Sequence, residues 1–147
     1  MRRAFLLCSA MFAAGLVAVT APAQAQGRMT GTFPACYTNK AMPGGVSVRL
    51  DLAVVAPEKT ISGNVAMTQA VNPPLNVALP VTGSYKDVRG AHHATLASPD
   101  MPGRRVKMNL VISKNWKAAT GAYTLWLDTP GGMKKGKLTL HGTPCNK

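Results

Sequence analysis

His92 and His93 are adjacent, and adjacency limits what they can do. Successive side chains of a strand point to opposite faces, so the two rings are not expected to meet on one metal ion. The five carboxylates, Asp51, Glu58, Asp87, Asp100 and Asp128, stand apart, and no pair has the spacing that general acid–base work needs. There is no nucleophile elbow, phosphate-binding loop or zinc-protease motif. The chain therefore offers no set of catalytic residues. Neither enzymatic activity nor a cofactor is expected.

Cations gathered around an indole offer more. Arg105, Lys107, Trp126, Lys135 and Lys137 share the polar phase of alternating segments, which predicts one outward face. His141 has the same phase. Such cations attract phosphate or sulfate, and the ring stacks on a ligand or enters a lipid interface. These five residues form the candidate anion-binding site. The expected partner is an anionic glycan, lipopolysaccharide or an acidic protein. Nucleic acid is not expected, because an exported protein seldom meets it. The competing explanation is a solvated face on which one tryptophan covers an apolar patch. The first half is blander at corresponding positions: Arg49, Asp51, Thr68 and Pro80.

A weaker alternative is soft metal. Met42, Met101 and Met133 fall in turns rich in proline or glycine, and three thioethers at one barrel mouth suit Cu(I). However, the first and fifth turns face each other across such a mouth. Methionine is also a filler of gaps, so side chains that plug the barrel end are expected and no metal is assigned.

These residues sit on segments of period two, which is the signature of half-buried strands. Phe33/Ala35/Tyr37, Val48/Leu50/Leu52/Val54, Ile61/Gly63/Val65/Met67 and Val77/Leu79/Val81 form the first half. His92/Ala94/Leu96, Val106/Met108/Leu110/Ile112, Gly121/Tyr123/Leu125/Leu127 and Leu138/Leu140 form the second. Glycine and proline interrupt every candidate helix after the first 25 residues. The two halves also align. Placing Met42-Pro43-Gly44 on Met101-Pro102-Gly103 brings Gly31 onto Gly90, and one residue of slack brings Val48 onto Val106 and Gly63 onto Gly121. Residues 31–85 and 90–142 are thus expected to be two four-strand units with a period of about 59 residues.

Eight short strands joined by short turns predict an all-β fold, a small antiparallel up-and-down barrel, with a two-sheet sandwich as the alternative. In strand count alone this is similar to avidin-like and lipocalin-like barrels; no motif of either family is present. Pro80 lacks an N–H for the ladder, so its strand is expected to bulge or break. A barrel of this size is filled by side chains or holds one small ligand. The many inward Leu, Val, Ile and Met residues favour filling, and a carrier of a small apolar ligand is the second functional reading.

The chain opens with Arg2 and Arg3, an apolar run from Ala4 to Val19, and Ala23-Gln24-Ala25. This is the layout of a secretory signal, expected to be cleaved after residue 25. The apolar run is short for a membrane span. Residues 26–147 then form a single domain, periplasmic or secreted and expected to be monomeric. The full chain has 17 basic and five acidic residues. Loss of Arg2 and Arg3 leaves 15 against five, a formal charge of +10. Cys8 leaves with the signal, and Cys36 and Cys145 are expected to pair in an oxidising compartment.

Overall fold

The computed structural model describes residues 31–129 and 132–145. The expected signal sequence lies outside these residues. The period-two segments form eight strands: β1 (Thr32–Asn39), β2 (Ser47–Val55), β3 (Thr60–Gln69), β4 (Leu75–Val88), β5 (Ala91–Ala97), β6 (Arg104–Ser113), β7 (Ala118–Leu127) and β8 (Met133–Gly142). Each pairs antiparallel with the next, and β8 returns to β1, so the sheet closes as an up-and-down barrel. The barrel expectation holds, and the sandwich does not.

Alternation explains the core. On β2, Val48, Leu50, Leu52 and Val54 are buried; on β6, Val106, Met108, Leu110 and Ile112 are. Both sets belong to one apolar cluster that fills the barrel. The residues between them face outward and are mostly polar. Apolar inside and polar outside is the inverse of a membrane-spanning barrel. No helix among the described residues is long and apolar enough to cross a membrane.

The two ends differ. At one, the turn end, the connections are short: residues 56–59, 89–90 and 114–117. Arg89 and Gly90 both have positive φ, 49° and 81°, which suits a two-residue hairpin to the twist of its strands. At the other, the loop end, residues 40–46, 70–74, 98–103 and 128–132 make longer connections. Met42 and Met101 lie at this same end. Two local devices there recur as well. Val48 N–H donates to Asn39 Oδ1 at 2.7 Å, and Val106 N–H donates to Ser98 Oγ at 2.8 Å.

Pro80 breaks nothing. β4 runs unbulged through it, paired to Asn64 of β3. Tyr85 N–H donates to Lys59 O on the β3 side. By alternation, the even positions of β4 turn their amides toward β5. Pairing with β5 begins only at Thr82, so the missing donor of Pro80 falls where no ladder runs.

The closing seam is the narrowest. β1 and β8 pair only at Tyr37–Gly142, Thr38–His141 and Asn39–Leu140. Thr143 N–H extends it by donating to Cys36 O at 2.9 Å. Cys36 and Cys145 are disulfide-bonded, with Cα atoms 5.3 Å apart and 109 residues apart in sequence. Beyond these pairs, Met133–Thr139 of β8 have no strand partner on that side.

Candidate functional site

Register decides which cations meet. On the outer wall of β6, β7 and β8, Arg105 pairs with Trp126 and Trp126 with Met133. The next outward row is Lys107, Thr124 and Lys135, followed by Asn109, Ala122 and Lys137. The ladder therefore assembles all five expected site residues on one wall. Standard strand spacing puts Lys107 and Lys135 about 10 Å apart across Thr124, and Lys135 and Lys137 about 7 Å apart along β8. His141 does not join them. It lies two outward rows beyond Lys137, beside Ala118 and Thr38 near the turn end.

The electrostatics of the wall are one-sided. The Arg105 guanidinium sits over the half-buried Trp126 ring, 4.5 Å from its centroid, a cation–π contact that holds the indole in place. Arg105 also approaches Asp100 at 3.7 Å, an exposed contact of little energetic weight. Among the described residues, no carboxylate pairs with Lys107, Lys135 or Lys137. The first half contrasts at the position aligned with Lys107: Arg49 donates from Nε to Asp51 Oδ2 at 3.0 Å and is neutralised. Above the wall, a shallow depression of about 530 Å³ is bounded by Trp126, Arg104, Arg105, Asp100 and Asp128. A second of about 650 Å³ lies beyond it, with Lys134, Asn72 and Asn76 in its lining.

The methionines depart from expectation. Met42, Met101 and Met133 are all exposed, so they do not plug the barrel. Met133 takes the outward phase of β8, opposite Trp126, rather than facing the mouth. The mouth is instead bridged by polar groups. Lys134, on the inward phase, donates to Gln69 Oε1 at 3.0 Å, and Gln69 Nε2 donates to Gly44 O at 2.9 Å. Strand phase alone foretells the inward direction of Lys134, but not its partner across the barrel.

The turn end is closed by a cluster that strand periodicity misses. Trp116, at φ 60° in a turn, folds inward and is buried. His92 stacks on it at 4.4 Å, and Phe33 and Tyr85 meet it edge-on at 5.2 and 5.1 Å. Tyr37 Oη donates to Trp116 O at 3.0 Å. Burial pushes the Tyr37 hydroxyl far above its ordinary pKa, so it remains a neutral donor. Asp87 accepts from Lys59 and from His92, and these hydrogen bonds, Lys59 first, hold its carboxyl below the usual range. Tyr37, His92, Lys59 and Asp87 are thus engaged within the protein. His93 faces outward and is exposed. Among the described residues, no three His, Cys, Asp or Glu side chains converge as metal ligands.

Residues 30–129 match the model of a family described as a domain of unknown function, DUF1842, and the chain belongs to that family. The matched span runs from β1 through β7 and stops before β8, so it includes Arg105, Lys107 and Trp126 but not Lys135 or Lys137. No curated protein matches the chain.

Proposed function

We propose that this DUF1842 domain is an exported, non-enzymatic binding protein whose basic wall takes an anionic component of the cell envelope, such as an acidic glycan or the phosphorylated head of lipopolysaccharide. The observation that carries this reading is the three-row wall of β6–β8. Its lysines lack carboxylate partners among the described residues and surround an indole fixed by Arg105. Export is supported by the signal-like first 25 residues and by the disulfide, a bond that persists in oxidising compartments. A carrier of an apolar ligand is less well supported, because Leu50, Met67, Leu96, Met108 and Leu125 occupy the interior.

Retention on immobilised heparin as a function of salt tests the reading. Exposed charges are screened beyond about 8 Å at physiological ionic strength, so elution should come at moderate salt. Replacing Lys135 and Lys137 by glutamine should shift elution to clearly lower salt. Replacing Lys86 and Lys114, which lie away from the wall, removes the same charge and should shift it little. Equal shifts would mean that net charge alone governs retention, and the wall would be no site.

A further inference from the structure

Three of the four connections at the loop end present one exposed large apolar side chain, and the fourth leads directly into one on β8. Met42 comes from residues 40–46 and is 79 % exposed; Val71 comes from 70–74 and is 38 % exposed. Met101 comes from 98–103 and is 49 % exposed; Met133, where 128–132 enters β8, is 51 % exposed. Only two other large apolar residues are so exposed among the described ones, Val88 and Val111, and neither lies at this end. The turn end is mostly polar, with Glu58, Lys59, Arg89, Lys114 and Asn115 exposed beside the single apolar Val88 that precedes residues 89–90. Four of the six exposed large apolar side chains among the described residues are therefore concentrated at one end of the barrel, three of them methionines.

Cations ring these tips. Lys40, Arg104, Arg105, Lys134 and Lys135 lie at the same end, against only Asp100 and Asp128. Trp126 is in the first outward row, beside Met133 and under Arg105. From the tip downward, Met42, Val71 and Met101 come first on the loops, then the row of Met133, Trp126 and Arg105, then Lys107 and Lys135. This order matches the depth profile of an anionic bilayer surface: acyl boundary, interface, phosphates. A soluble polyanion would leave the methionines and Val71 without a partner.

We propose that the loop end docks on the surface of an anionic lipid membrane, with Met42, Val71, Met101 and Met133 entering the head-group region and Trp126 at its edge. This rests on the reading that the basic wall takes an anionic partner, and it makes that partner a membrane surface. Insertion is shallow, since the tips are single side chains, three on loops and Met133 at the start of β8, rather than a span.

The test uses protein purified from the cells that make it, with two probes: vesicles of phosphatidylglycerol and phosphatidylcholine, and immobilised heparin. The protein should sediment with anionic vesicles and not with pure phosphatidylcholine. A variant with Met42, Val71, Met101 and Met133 all changed to serine should lose about tenfold in vesicle affinity and keep its elution from heparin. Brominated lipids should quench Trp126, while Trp116, at the other end of the barrel, is the internal control; Trp126→Phe should abolish the quenching. Undiminished vesicle binding by the serine variant, or quenching that persists in Trp126→Phe, would overturn the docking. Heparin binding without vesicle binding would overturn it and leave the basic wall standing; binding to neither would remove both.

Discussion

Asn109 stands where the first half has Asp51, and this leaves Lys107 without the carboxylate that neutralises Arg49. Asn109→Asp should therefore weaken binding to an anionic surface by about fivefold, as removal of one surface cation does, and flatten its salt dependence. Titration against vesicles or heparin at two salt concentrations checks this. Asp87 gives a pH prediction. Its folded pKa is depressed, so it stabilises the fold above the ordinary carboxylate pKa, and that contribution is lost as pH falls through the folded value. The group is half exposed, so Asp87→Asn should cost less than about 1 kcal/mol near neutral pH. The difference from the parent should vanish in acid, as urea melts across pH will show. The wall was legible at this scale because alternation assigns Arg105, Lys107, Trp126, Lys135 and Lys137 a face. The freedom of the three lysines from ion pairs was not, because it depends on which residues the register sets opposite them. Trp116 was hidden for another reason: it belongs to a turn, where period two says nothing about direction.

All eight strands were legible from alternation, with Pro80 the one misreading. Proline was expected to break the ladder because one strand's sequence does not show how far its neighbour extends. β5 pairs with β4 no further than Thr82, and that stagger spares the missing donor. Two glycines show how tightly neighbouring strands approach. A Cβ on Gly63 would lie 2.1 Å from Asp51 O, and one on Gly121 2.0 Å from Asn109 O. These positions align between the halves, and each faces backbone, which cannot rotate away. Gly63→Ala and Gly121→Ala should each destabilise by about 2–4 kcal/mol, and by similar amounts, in denaturant unfolding. A large disparity would show that the two strand crossings are not alike. The caps on Val48 and Val106 correspond in the same way but were illegible, since one uses Asn39 and the other Ser98.

At the scale of the molecule, closure depends on three residue pairs and one disulfide. Removing the bond by Cys36→Ser with Cys145→Ser should lower stability by about 2–5 kcal/mol, as thermal or urea melts will measure. The free edge of β8 carries Lys135 and Lys137, and lysine on an edge discourages strand addition from another molecule. The seam also bears on kinetics. Seven of the eight ladders join consecutive strands and can form locally, whereas the eighth must bring Tyr37 to Gly142 after the intervening sheet exists. The seam should therefore assemble after the rate-limiting step of folding. Thr143→Pro, which removes the N–H donated across the seam to Cys36 O and belongs to no other ladder, should accelerate unfolding in stopped-flow experiments and leave the refolding rate nearly unchanged. The barrel would then come apart by the same three pairs that were last to form.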